Sequence, residues 1–170
     1  MVTTLSSRSH DRIPAALPPT LLPGLDPRWS RLVTVPDSRG AERTWHLLDN
    51  AARLAELGRE PTGTLLCLHG NPTWSYLWRS VVAEATDAAE AGSPLVWRVV
   101  AVDQLEMGYS ERSGEMRPLA RRIADLGELT RALDLSGPVV TLGHDWGGVV
   151  SLGWAVDHPQ LVSGIVLLNT

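Results

Sequence analysis

At 170 residues, with 44% hydrophobic and 20% charged positions and a formal net charge of −4, the chain has the make-up of a folded globular protein and not of a disordered one. No basic patch is dense enough to suggest a nucleic-acid groove or an anionic membrane partner, and no apolar run approaches the roughly 18 residues that a membrane span needs. The single cysteine, Cys67, excludes an internal disulfide framework and any multi-cysteine metal site.

The N-terminus, MVTTLSSRSHDRIPAALPPTLLPG, lacks a basic segment followed by an unbroken apolar stretch, so it does not read as a secretory signal. Residues 1–27 carry Pro14, Pro18, Pro19, Pro23 and Pro27, which interrupt helices and paired strands. They are expected to form a mobile leader, with LLPGL available to pack on the domain. Residues 28–170 are expected to form that domain.

RLVTV (31–35) and TWHLLDN (44–50) read as two strands joined by the PDSRGAE turn. AARLAELGRE reads as a short helical insertion. TLLCLHG (64–70) is a continuous apolar run ending at glycine, the pattern of a strand buried on both faces, and it makes Cys67 a buried structural thiol. TWSYLWRSVVAEATDAAEA (73–91) has helical spacing, with Thr73 as its candidate N-cap. WRVVAVDQ (97–104) is a second buried strand. PLARRIADLGELTRALDL (118–135) reads as a helix with Pro118 in its first turn, and Arg117, Arg121 and Arg122 read as one solvated face. PVVTLGHD (138–145) is a third buried strand, WGGVVSLGWAVDHP (146–159) an apolar helix stopped by Pro159, and VSGIVLLNT (162–170) a fourth buried strand, expected to form an apolar edge where the chain ends.

Buried strands alternating with helices imply an α/β fold, a mostly parallel sheet with helices on both faces. Ligands bind such sheets beyond the carboxyl ends of the strands. Those ends are His69-Gly70-Asn71, Asp103, Asp145 and Asn169. GHDWGG (143–148) has the spacing of a nucleophile elbow, Gly-x-Ser-x-Gly, with Asp145 in place of serine. Gly143 and Gly147 keep the tight turn free of Cβ atoms, and the helix start behind Asp145 favours its ionised form. Alone, Asp145 could equally be an ordinary N-cap. His69 and His144 flank these loops, but with Asp103 or Asp145 they match no metal-ligand spacing.

HGNPTWSYLWR (69–79), DQLEMGYS and GHDWGG, in that order, resemble the haloalkane dehalogenase and epoxide hydrolase branch of the α/β-hydrolase superfamily, over roughly residues 30–170. The resemblance implies an aspartate nucleophile, Asp145, attacking carbon to give a covalent ester. It implies an oxyanion hole made by the backbone N–H groups of Asn71 and Trp146, whose side chains would also hold the departing leaving group. An aspartate suits carbon that is not a carbonyl, because its ester hydrolyses where a serine ether would not. The pairing of Asn71 with Trp146 looks like a dehalogenase. It also looks like the β-lactone decarboxylases of long-chain olefin biosynthesis, toward which DQLEMGYSERSG and LDPRWSRLVTV lean. Asn71-Pro72 could instead be only a turn, and Trp146 only a core aromatic. Glu106 departs from the family pattern, where glycine is usual; a positive φ there would cost about 1 kcal/mol or more.

The resemblance implies small apolar substrates of the haloalkane, epoxide or β-lactone class and no cofactor, while the single cysteine and the lack of a signal pattern fit a cytoplasmic setting. In the family a histidine and an acid complete the site after later strands. None of His10, His46, His69, His144 or His158 stands in that place, so the fold is expected to be truncated after about the sixth strand, without its lid. Some dehalogenases place a glutamate at the tip of that strand; here it is Asn169, expected to be a positioning or leaving-group contact. The parent protein is expected to be an enzyme, with room for fused or associated domains, and the 170-residue chain by itself to be inactive. A non-catalytic hydrolase-fold fragment or binding module is the alternative of another class.

Overall fold

A computed structural model describes residues 12–135 and 138–170. Its centre is a six-stranded sheet: β1 (Ser30–Pro36), β2 (Glu42–Asp49), β3 (Gly63–Leu68), β4 (Trp97–Val102), β5 (Val139–His144) and β6 (Val162–Leu168), in the order β1-β2-β4-β3-β5-β6. β1 and β2 form the expected hairpin, and β2 runs antiparallel to β4. The pairs β3–β4, β3–β5 and β5–β6 are parallel. The helices are α1 (Ala51–Glu56), α2 (Arg79–Glu90), α3 (Leu119–Ala132) and α4 (Trp146–Asp157).

The apolar runs are continuous because the central strands are covered twice. Successive side chains point to opposite faces. Leu66, Leu68, Val100 and Val102 therefore meet Leu126 and Leu129 of α3 and Val150 and Trp154 of α4. Cys67, Val99 and Ala101 meet Trp78 and Val82 on the other face. Cys67 is fully buried, and desolvation pushes its thiol pKa upward, out of reactive range.

Three local expectations need correction. Thr73 caps no helix: its hydroxyl turns back to the Gly70 carbonyl at 3.0 Å. The segment begins as a 3₁₀ turn (Ser75–Trp78), and α2 starts only at Arg79. The cause is long-range, since the buried Asp103 carboxylate takes the Ser75 N–H at 2.6 Å. Pro118 stands just before α3 and not in its first turn. Most consequentially, the arginines at the start of α3 are not a solvated face. Arg117 and Arg121 are 5% and 8% exposed. They pair with Asp37, Asp125, Glu106 and Glu115, and Arg43 joins the same network through Asp37, Glu111 and Glu115.

From Arg12 onward the proline-rich segment lies along the domain. Ile13 pairs with Arg112, the Ala16 N–H donates to Tyr109 O at 3.0 Å, and Leu25 is buried with Trp29. At the other edge, β6 leaves Ile165, Val166, Leu167 and Leu168 42–45% exposed. Among the described residues no helix is long and apolar enough to cross a membrane.

Candidate active site

β5 passes into α4 through a single residue, Asp145, held at φ 53° and ψ −130°. An L-residue rarely adopts this backbone, and it persists only where its surroundings over-determine it. Here they do. A Cβ on Gly143 would lie 2.4 Å from Gly148 Cα, and one on Gly147 would lie 2.2 Å from Leu68 O. The two glycines thus let the first turn of α4 close against β3 and β5. The Asp145 side chain makes no capping bond to α4, which sets aside the ordinary N-cap reading.

The carboxylate turns instead toward the loop after β3. The Asn71 N–H donates to Asp145 Oδ1 at 3.0 Å. The backbone N–H groups of Trp146 and then Asn71 hold the Asp145 carboxyl below the usual carboxylate range, with burial opposing weakly. Gly70 makes this approach possible, since a Cβ there would sit 2.5 Å from Asp145 Oδ1. Trp146 is 56% exposed and so is no core aromatic. Asn71–Pro72 is a cis peptide.

Two other loops support this arrangement. The His69 ring lies between the Gly70 carbonyl, 2.7 Å from Nδ1, and the Gln104 N–H, which donates to Nε2 at 3.1 Å; Gln104 Nε2 donates to His69 O at 2.7 Å. Burial lowers the His69 pKa, which favours the neutral ring. Asp103 accepts from the Ser75 and Tyr109 N–H groups and faces His46 Nδ1 at 2.9 Å. Burial raises the Asp103 pKa, but these partners outweigh it and keep the group ionised. Glu106 does adopt the suspected positive φ, 73°. Its carboxylate is anchored by Ser113, Gly114 and Arg117, which lower its pKa against the cost of burial.

The structure therefore brings Asn71 and Trp146 to Asp145. Asn169 follows β6 at φ 47°, and its neighbour Thr170 lines a recess of about 210 Å³ with Asp145, Trp146 and Val149. A second cavity, of about 300 Å³, is lined by Asn71 and Trp146 with Gln104, Met107, Leu119 and two arginines, Arg117 and Arg122. Gln104 and Arg122 were not foreseen from the sequence. DQ marks only a strand end, and a helical arginine shows nothing of the cavity it borders. Among the described residues no group of three or more His, Cys, Asp or Glu side chains is placed to hold a metal ion.

Residues 63–170 match the family described as alpha/beta hydrolase fold, and the chain belongs to that family. It is 34% identical over 114 residues to a cis-3-alkyl-4-alkyloxetan-2-one decarboxylase of Xanthomonas campestris pv. campestris, an alignment covering 62% of this chain and 35% of that protein. It is 39% identical over 107 residues to haloalkane dehalogenase 2 of Mycobacterium tuberculosis, covering 62% of this chain and 34% of that protein. A haloalkane dehalogenase structure from Agrobacterium tumefaciens superposes with a TM-score of 0.62 at 24% identity, over 82% of this chain and 41% of that one. An epoxide hydrolase from Vigna radiata gives 0.61 at 21%, over 84% and 39%. These two likenesses speak for the fold. The chain spans about a third of the length of the curated relatives it matches.

The strained elbow makes a prediction of its own. Glycine tolerates positive φ and alanine does not, so in the full-length protein Asp145→Gly should melt about 2 °C above Asp145→Ala. Equal melting temperatures in thermal scans would show that position 145 carries no backbone strain.

Proposed function

We propose that this chain supplies the nucleophile half of a hydrolase of the haloalkane dehalogenase type, completed by residues beyond Thr170. The observation that carries the reading is the Asn71 N–H on Asp145 Oδ1 at 3.0 Å, at the head of a strand-to-helix elbow. One carboxylate oxygen accepts the Asn71 N–H, and the other is left to attack. The new bond joins this oxygen to a saturated carbon, and the halide leaves with the electron pair. The Asn71 amide and Trp146 indole can each give the halide an N–H without bringing a charged acceptor. Water, losing a proton to a base, then attacks the Asp145 acyl carbon, and the backbone N–H groups of Asn71 and Trp146 receive the oxyanion. Its collapse breaks the ester bond to release the alcohol and restore the carboxylate.

Among the described residues no histidine is placed to serve as the base for that water, and the reading assigns it beyond Thr170; His10 lies outside the described residues. His46 faces Asp103, His69 is held by Gly70 and Gln104, and His158 Nδ1 is 2.9 Å from Trp154 O. His144 lies in β5 ahead of the elbow. The same reading places the acid partner of the base beyond residue 170 and leaves Asn169 a contact residue, so Asn169→Ala should retain measurable turnover. It also makes the isolated chain inactive and requires no cofactor. A lone, buried, unpaired cysteine supports a cytoplasmic setting.

The decisive test is a single turnover of a 1-haloalkane by the full-length protein in heavy-oxygen water. The label should enter the peptide containing Asp145. Label found only in the alcohol would mean direct attack by water and would end the nucleophile assignment. Asn71→Ala, which removes a leaving-group donor, should lower kcat about a hundredfold; a change under threefold in halide release would remove Asn71 from that role. The identity with the oxetanone decarboxylase favours a second reading, in which the same carboxylate opens a four-membered lactone ring. Turnover of a cis-dialkyl β-lactone to an alkene and carbon dioxide, without halide release from haloalkanes, would select it.

A further inference from the structure

The cavity beside Asn71 and Trp146 is not apolar throughout. Two guanidiniums, Arg117 and Arg122, line it, and the other lining side chains are neutral. The two arginines differ in one respect. Arg117 is ion-paired with Asp37, Glu106 and Asp125. Among the described residues no carboxylate lies within ion-pair distance of Arg122. Its Nε donates to Arg117 O at 3.1 Å and its Nη1 to Leu105 O at 3.2 Å. A guanidinium has five N–H donors in a planar fork, so two carbonyls leave donors unused. The neighbouring carboxylates are committed elsewhere: Glu106 to Ser113, Gly114 and Arg117, and Asp125 to Arg117 and Ser38. Arg122 is half-buried, and burial followed by the nearby Arg117 charge lowers its pKa against the weaker opposing pull of Glu106 and Asp125.

We propose that Arg122 is a specificity-determining residue that receives an anionic end group, a carboxylate, on an otherwise apolar substrate. The placement rests on the reading of Asp145 as nucleophile for where the reacting carbon lies. Asn71, Trp146 and Arg122 line one cavity, so a chain whose leaving group lies between the Asn71 amide and the Trp146 indole can bring its far end to the Arg122 fork. A carboxylate matches that fork in shape and charge. The preferred substrate class is then an ω-halo acid, or its lactone or epoxide counterpart, and not a plain hydrocarbon halide.

The test is calorimetric binding of three probes to the full-length protein, with far-UV circular dichroism confirming that each variant is folded. Hexanoate should bind at least about tenfold tighter than hexanol. Arg122→Gln should weaken hexanoate at least about tenfold, Arg122→Lys should restore part of it, and bromide, held by Asn71 and Trp146, should change little. In parallel, the ratio of kcat/KM for 6-bromohexanoate over 1-bromohexane should exceed one and fall in Arg122→Gln. Equal binding of hexanoate and hexanol, or hexanoate binding unchanged by Arg122→Gln, overturns the proposal. So does equal loss of bromide and hexanoate, which would make Arg122 a halide donor. Hexanoate binding through Arg122 with no bromide released from either substrate supports the anion site and counts against the nucleophile reading instead.

Discussion

Asp145→Ala should abolish turnover in the full-length protein, by about ten-thousand-fold or more in kcat/KM, because every later step passes through the ester that this side chain forms. Asp145→Asn should do nearly the same, since an amide keeps the shape but is a poor nucleophile. The Trp146 and Asn71 N–H groups hold the carboxyl below its ordinary range, so it stays ionised from neutral pH into mild acid. An activity lost between about pH 7 and pH 5 therefore reports the base that activates water and not Asp145. Halide release near the wild-type rate in Asp145→Ala would place the chemistry elsewhere.

The largest effect on stability should come from Asp37, the buried carboxylate at the centre of the arginine network. This carboxylate closes the turn between β1 and β2 by accepting the Arg39 and Ala41 N–H groups at 2.9 and 3.1 Å. It also takes Arg43 Nε and Arg121 Nη2, each at 3.1 Å, and lies 3.5 Å from Arg117 Nη2. Asp37→Ala would leave three buried guanidiniums short of one counter-charge, and breaking a buried pair in this way costs about 3–5 kcal/mol. Burial raises the Asp37 pKa, but the hydrogen bonds outweigh it and hold the folded-state value well below the ordinary 3.8. A depressed carboxylate stabilises the fold above its unfolded pKa and loses that contribution as pH falls toward the folded one. The gap between wild type and Asp37→Ala should thus be constant from neutral to about pH 5 and narrow below about pH 4. Urea denaturation across that range measures it; a gap under about 1 kcal/mol at pH 7 would show that the network relaxes around the loss.

The same network shows where the sequence stopped speaking. Arg117, Arg121 and Arg122 lie at and just before the start of α3, and a local count of charges reads them as one face in water. The carboxylate that ties the network together is remote: Asp37 lies 84 residues from Arg121, and no helical or strand period connects them. The strands were legible for the opposite reason. TLLCLHG and the end of WRVVAVDQ are covered on both faces, so a continuous apolar run states the environment outright, whereas PVVTLGHD alternates buried and half-buried positions. The strand-to-helix elbow was legible because the two glycines stand at a fixed spacing around Asp145, Gly143 clearing Gly148 of the first helical turn and Gly147 clearing the end of β3. The start of α2 was not, because Asp103, 28 residues from Ser75, takes the N–H that would have opened a regular first turn. The donors around Asp145 could be named from resemblance, whereas the Arg122 fork could be found only once the chain was folded around the cavity.

The exposed β6 edge bears on how this polypeptide behaves in a tube. Four consecutive apolar residues, Ile165 to Leu168, are half-open to water, and alternate ones face opposite sides of the sheet. One row of backbone donors and acceptors lies unpaired beside them, at the end of the strand order. Such an edge is a template for any strand that meets it, another copy of itself included. The 170-residue chain should therefore have no single melting temperature: diluted, it should unfold early, and concentrated, it should survive longer as edge-paired assemblies.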